Sequence, residues 1–427
     1  MRKTCFQAGF GKGVIRFPDA LFPIEGFCGI HDDPCARLMV IQAGETGFAL
    51  ASLELVMLPD PLIGRCKEII ESHTGIPAQQ IWVHVTHAIS TPHEPGPKGP
   101  PNKRPPATEE DKKQQKLYSA AIEAAMEQAA VEAVGNLAPA RLGWGQGDCH
   151  VTCNRDVETP YGWWMGLNPD GLSNHTMMVL RVESMSGGPL GFFVSYSVKP
   201  CAVDNAGMEN GTRLVSSDVG GVCVETLERQ YGVPALFCIS AAGDQVPREQ
   251  AILDVVDGDG KYHHRDFGVD KGMEIIARLG AEMGQDALNI AAGIVCDTAE
   301  IGLNFGEIQF DWDSKPGRPS GPSKTAPDAP SEGMRQVSAE LVMLGDTALV
   351  GTRPEINCKT ELELKEASPV ARTLLMMMVN GGMKYMPDWE AYAKNTFESQ
   401  SSFLRQGAAE EFVRRTAEAL AEMTKPR

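Results

Sequence analysis

The chain has 427 residues, 42% hydrophobic and 22% charged, with a formal net charge of −17. That length can bury one large core or two ordinary ones, and no apolar run approaches the roughly 20 residues of a membrane helix, so insertion into a membrane is not expected. The acidic balance disfavours nucleic acid and anionic membranes as general partners, leaving an enzyme or binding module for a small molecule, alone or as a homo-oligomer.

The chain opens with "MRKTCFQAGFGKGVIRFP", which has two basic residues and no apolar stretch long enough for a signal peptide. Eleven cysteines occur without a Cys-x-x-Cys motif, Cys149 and Cys153 being the close pair. Neither a disulfide framework nor a cysteine zinc site is expected, and a reducing cytoplasm is the expected location. From Arg37 to Leu58 two apolar, β-branched runs flank a Gly-Glu-Thr-Gly turn, the pattern of a core hairpin. A helix follows, with Asp60 as N-cap, Pro61 in the first turn, an apolar face of Leu62, Ile63, Cys66, Ile69 and Ile70, and Gly75 as stop. The strand "QIWVHVTH" comes next. Further helices are predicted over Glu109 to Val134, Asp218 to Gln230, Lys271 to Ala292 and Ala408 to Met423. Strands are predicted at "MVLRVE", "LGFFVSYSV", "ALFCIS" and the hairpin "SAELVMLGDTALVGT".

Strands alternating with helices predict an α/β fold of mixed β-sheets flanked by helices, in a single domain over residues 1–427. Two segments break the pattern. The Pro/Gly-rich loop 92–106 is a candidate lid, and 313–333 reads as a long surface excursion within the domain.

In α/β sheets ligands collect beyond the carboxyl ends of strands, and four apolar runs here end in an ionisable group. His87 follows "WVHVT", Lys199 follows "GFFVSYSV", Asp244 follows "ALFCISAAG", and Arg353 and Glu355 follow "LGDTALVGT". These groups, with Tyr385, are expected to converge on one cleft of roughly 300 to 1,000 Å³. His84, three residues before His87, faces the other side of the strand and reads as a core histidine. His93, His263 and His264 fall in polar, turn-rich segments and read as surface residues.

The segments "GIHDDPCARLMVI", "VTHAIST", "NRD", "YSVKP", "SSDVGG", "ISAAGDQVP", "GDTALVGTRPE" and "KYMPDWEAY" run in the same order as the blocks of the neutral/alkaline non-lysosomal ceramidase amino-terminal domain. The chain resembles that family from about Gly9 to about Phe403. The resemblance implies a ceramidase N-terminal-domain-like fold, here without the family's C-terminal immunoglobulin-like domain. It also implies descent from an amidase that cleaves ceramide at one zinc ion held by two histidines, a glutamate and a tyrosine. His87, Glu355 and Tyr385 match three of those ligands, whereas Lys199 stands in place of the second histidine. The family's Gly-Asp-Val-Ser-Pro, which carries the serine assigned to catalysis, reads Gly243, Asp244, Gln245, Val246, Pro247, without a hydroxyl. A later tyrosine is Phe397, before Glu398.

A protonated lysine has no lone pair for a metal, so Lys199 is expected to occupy the metal's place and hold Glu355 in a charge-assisted bond. If zinc is retained, His87, Glu355 and Tyr385 are its ligands. As an ion pair, Lys199 has Asp218 or Glu355 as its expected partner. Arg353, Arg155, Asp244 and Trp163 are the expected substrate-binding residues: the arginines for an acid group, the Trp163–Trp164 pair for stacking on a sugar ring. Lys199, Tyr385, His87 and Glu355 are the expected catalytic residues, the nearby cations lowering the Tyr385 pKa. The functional expectation is a divergent ceramidase-like hydrolase acting on a small, polar, anionic substrate rather than ceramide. A metal-free lyase or isomerase using Lys199 and Tyr385, or a non-catalytic ligand-binding module, is the alternative.

Overall fold

The computed structural model describes residues 3–97, 105–316, 322 and 331–425. Its largest sheet runs in the spatial order Ala235–Ile239, Pro189–Tyr196, Thr176–Ser184, Ala138–Asp148, Thr4–Val14, Cys35–Ala43, Thr46–Leu53 and Ile81–Val85, with Glu300–Ile301 beside the start of Thr4–Val14. Each outermost strand is parallel to its neighbour and the ladders between are antiparallel. Two-residue periodicity sorts the side chains. In Cys35–Ala43, Ala36, Leu38 and Val40 face helices, while Met39 and Ile41 face a second sheet.

The helical layer contains Asp60–Thr74, Glu109–Gly135, Asp218–Tyr231 and Val269–Ala292. Asp60 was expected as the N-cap of the first, but the helix begins at Asp60 itself and Pro59 caps it without a side-chain bond; the Asp60 carboxylate is taken by Arg353. The alanine-rich second helix has a specific counterpart in Thr4–Val14. A Cβ on Gly9, Gly11 or Gly13 would sit within 2.0 Å of the carbonyl oxygens of Ala133, Ala129 and Ala125. Helix and strand therefore meet backbone to backbone, and only glycine fits on the strand side.

The second sheet orders Leu303–Asp313, Met334–Leu344, Thr347–Thr352 and Arg372–Met376. Val342, Leu344, Leu349 and Leu374 interlock with Phe6, Phe48 and Trp82 between the sheets. Helices Cys358–Ala367 and Ala408–Thr424 cover its outer face, giving four layers, helix, sheet, sheet, helix. The mixed α/β class expected from the sequence is the class observed. The 313–333 excursion joins two strands paired from Leu303↔Leu344 to Asp313↔Met334; residues 317–321 and 323–330 of it lie outside the described residues, as do 98–104 of the Pro/Gly-rich loop. Among the described residues no helix is long and apolar enough to cross a membrane.

The large sheet curls until its two edges meet. Ser52 Oγ donates to the Phe237 carbonyl at 2.6 Å, and His84 Nε2 accepts the Ile239 N–H at 3.2 Å. The His84 proton is thus on Nδ1, which donates to Ser52 Oγ at 3.1 Å. Burial pushes the His84 pKa down to about 3, so this histidine is a neutral structural tie. The closure brings the ends of Ile81–Val85, Pro189–Tyr196 and Ala235–Ile239 side by side, beside the short parallel pair Glu355–Ile356 and Tyr385–Met386.

Candidate active site

Beyond Val85 the chain turns sharply, placing His87 at φ 60°, a conformation that a non-glycine residue adopts only when its surroundings hold it there. Its Nδ1–H donates to the Val56 carbonyl at 2.7 Å, aiming Nε2 at Glu355 Oε2, 3.5 Å away. Lys199 enters from the end of Pro189–Tyr196 and donates to Glu355 Oε2 at 2.5 Å and to the Tyr385 hydroxyl at 3.2 Å. Glu355 and Tyr385 sit opposite one another in the short parallel ladder. Arg155 closes the ring: Nη2 reaches the Tyr385 hydroxyl at 3.2 Å and Nε reaches Glu398 Oε1 at 2.7 Å. All five residues are buried or nearly so.

Burial alone works against every charge here, so the partners decide. It opposes the Lys199 ammonium, but Glu355 and then Tyr385 outweigh it and the Lys199 pKa stands above the ordinary lysine value. Burial likewise disfavours ionised Glu355, yet Lys199 and His87 hold it well below the usual carboxylate range. Both partners agree on a fully ionised pair. The Tyr385 pKa was expected to fall. It is raised instead, by burial first and Glu355 second, which together exceed the lowering by Lys199 and Arg155. Tyr385 is a protonated phenol at neutral pH.

His87, Arg155, Lys199 and Tyr385 line one cavity of about 150 Å³, floored by Val246 and Phe397, smaller than the expected cleft. The other expected residues lie elsewhere. Asp244 and Trp163 line a neighbouring cavity of about 310 Å³ with Asp156, Asp388 and Lys394. The Asp244 carboxylate accepts the Cys358 N–H at 2.8 Å and the Asn154 amide at 3.2 Å, and burial pushes its pKa up to about 7. Trp163 has the Lys394 ammonium 4.5 Å over its ring, and Trp164 is core, edge-on to Tyr262 and Phe397. Arg353 does not reach the cleft: the bend between Thr352 and Glu355 turns it outward onto Asp60, with 39% of its side chain exposed. Asp218 is not the partner of Lys199; its carboxylate accepts the N–H groups of Ala202, Val203 and Val219. A cavity of about 500 Å³ opens in the second sheet beside Arg372, Asp346 and the end of the last helix, but Arg372 and Asp346 pair with each other.

Sequence reasoning missed Glu398, Asp204 and Asp254. The first is the buried anchor of Arg155; the others line the same cleft. Asp254 lies on the hairpin Ile252–Val256/Tyr262–Asp266, whose His264 donates to it at 2.8 Å, so the polar turn of the sequence forms a rim of the site. His263 and His264 are exposed, and His93 pairs with Glu25 at 3.1 Å.

The zinc implied by the family resemblance fits poorly. His87 carries its proton on Nδ1, leaving Nε2 as a metal ligand would present it, but two cations occupy the remaining positions. The Lys199 ammonium bonds the Glu355 oxygen that His87 faces, and Lys199 and Arg155 both donate to the Tyr385 oxygen. A divalent cation would have to displace both.

No protein-family model matches this chain, and no curated protein matches it. Solved structures do. A ceramidase complexed with C2 superposes with a TM-score of 0.70 over 99% of this chain and 77% of its own, at 15% identity. Neutral ceramidase from Pseudomonas aeruginosa gives 0.69 over 99% and 75%, at 16% identity. The chain has a ceramidase-like fold.

Proposed function

We propose that this chain is a hydrolase acting through the acid/base chemistry of its own side chains on a small, polar, neutral substrate, rather than on ceramide. The observation that carries the reading is the Tyr385 hydroxyl held by two cations, Lys199 and Arg155, each 3.2 Å away, inside a 150 Å³ cleft. In this reading a substrate carbonyl enters beside Tyr385, and Lys199 and Arg155 stabilise the negative charge that develops on its oxygen. Water attacks the carbonyl carbon and gives its proton to the His87–Glu355 pair. Tyr385 protonates the leaving nitrogen or oxygen and is reprotonated through Lys199. Val246 stands where the family has its serine, so water rather than a side-chain hydroxyl is the nucleophile.

The size of the cleft supports a small substrate, since pockets for larger ligands run to roughly 300–1,000 Å³. Neutrality is supported by charge. Lys199 and Arg155 are already matched by Glu355 and Glu398, Asp204 and Asp254 add two acids to the cleft lining, and Arg353, on which an anionic substrate was expected to rest, points away. A cytoplasmic location is part of the proposal, supported by eleven free cysteines, nine of them buried.

The direct Lys199–Tyr385 contact favours a lyase or isomerase as the second reading. Turnover of a panel of small amides, esters and hydroxy acids in ¹⁸O-water separates the two: a hydrolase places one ¹⁸O in the product acid, a lyase or isomerase none. Tyr385→Phe should reduce turnover about 10²–10⁴-fold with little change in stability; undiminished turnover in that variant would overturn both readings.

A further inference from the structure

The wall between the two cavities holds an unbalanced pair of acids. Glu398 has no exposed surface and Asp156 is 9% exposed. Glu398 Oε1 takes both bonds from Arg155, at 2.7 and 2.5 Å, but Glu398 Oε2 and Asp156 Oδ1 are buried and receive no N–H or O–H donor. The two carboxyl groups are within hydrogen-bonding reach of one another. The ladder is irregular here: the two steps from Asn154 to Asp156 face three on the partner strand, from Asn168 to Met165. The charged groups facing Asp156 are Glu398, Asp244 and Arg155, and the titratable and charged groups facing Glu398 are Arg155, Asp156, Asp244 and Tyr385. One guanidinium thus stands among three carboxyl groups, and two facing acceptors in a dry wall become favourable only with a proton between them.

We infer that Asp156 and Glu398 share one proton and act together as a single anion that positions Arg155 against the Tyr385 hydroxyl. Asp156 is the positioning residue that carries the proton. Burial, then Glu398 and Asp244, raise its pKa well above the usual range, while Arg155 overcomes burial to keep Glu398 low. Asp156 also lines the second cavity, so the proton exchanges with solvent from that side and not through the cleft. Loss of the proton puts a second negative charge beside Arg155 and draws it off Tyr385. The effect on turnover rests on the acid/base reading above; the shared proton does not.

Two measurements on the whole chain need no substrate. Infrared difference spectra of wild type against Asp156→Asn at neutral pH should show one protonated-carboxyl band lost in the variant. Denaturant unfolding across pH supplies the second. A carboxyl whose folded pKa is raised binds more proton in the native state, so the stability it confers is present near the ordinary aspartate pKa and is lost as pH rises towards the folded value. Wild type should therefore lose up to tenfold in its unfolding equilibrium per pH unit relative to Asp156→Asn, whose amide donates to Glu398 at every pH. If turnover is found, Asp156→Leu should lower kcat with KM kept, and Asp156→Asn should restore it and flatten the pH profile. An unchanged band together with parallel stability curves would overturn the shared proton, whether or not the chain proves to be a hydrolase.

Discussion

Replacing Lys199 with methionine keeps most of the side-chain volume and removes the ammonium that holds Glu355. The Glu355 carboxylate, 6% exposed, is then left facing His87 Nε2 at 3.5 Å. Breaking a buried pair by deleting one partner costs about 3–5 kcal/mol. With an unfolding entropy of about 2.1 cal/mol/K per residue and 427 residues, the midpoint should drop by about 3–6 °C at pH 7. The pH dependence identifies the cause. In wild type the Glu355 pKa is depressed, so its contribution is present above the ordinary carboxylate pKa of about 4.3 and is lost only as pH falls below it. In Lys199→Met the same carboxyl is unpaired and takes up a proton in the folded state, so the deficit narrows as pH falls from 7 to 4. Lys199→Met combined with Glu355→Gln should recover most of the loss at pH 7. Calorimetry or near-UV circular dichroism at three pH values measures all of this. A deficit of equal size at pH 4 and 7, or a double variant no better than the single one, would show that Lys199 stabilises by packing and that the ion pair is not what holds the site.

Lys199→His restores a neutral imidazole beside His87, Glu355 and Tyr385; after zinc loading and dialysis, elemental analysis should find about one retained zinc per chain and less in the parent, and equal retention would refute displacement by the ammonium. Arg353→Ala removes an exposed pair with Asp60, so the expected change in stability is below about 1 kcal/mol and the thermal response to carboxylated or phosphorylated small molecules should match wild type; loss of such a response would return Arg353 to the site. His84→Leu strands the Ile239 N–H and should cost about 1–3 kcal/mol at pH 7. Because the folded pKa of His84 lies near 3, wild type loses stability as pH falls from about 6.5, so the gap to the leucine variant should shrink on acidification; a constant gap would mean that His84 does not stay neutral.

The long helices were legible because their signals are local. The predicted helices ending at Val134, Gln230 and Met423 each end within one residue of the observed Gly135, Tyr231 and Thr424. His87, Lys199 and Glu355 were legible because a charge ending an apolar strand must find a partner, and they find each other. Arg353 shares that signature and went the other way, since its direction depends on a two-residue bend and on Asp60, 293 positions distant in the chain. Asp244 ends its strand as expected but turns to the Cys358 N–H, the start of a helix not foreseen. Glu398 and Asp156 were hidden for a different reason. Glu398 meets Arg155 across 243 positions of chain, and nothing in "CNRDVET" announces that contact or the acid beside it. The spacing of Gly9, Gly11 and Gly13, which admits the alanine helix, was not read from the sequence at all, because its partner lies more than 100 residues further along the chain.

The parallel ladder joining Glu355 to Tyr385 spans two residues on each side, yet the chain between them is a detour of a helix, Cys358–Ala367, and a sheet strand, Arg372–Met376. Spacing between the acid and the phenol is thus set by backbone pairing and not by the length of the intervening segment. The turn after Ala367, where Pro369 and Ala371 are exposed, is accordingly a place where relatives can gain or lose residues, or where a reporter peptide can be spliced in, while the two side chains keep their register.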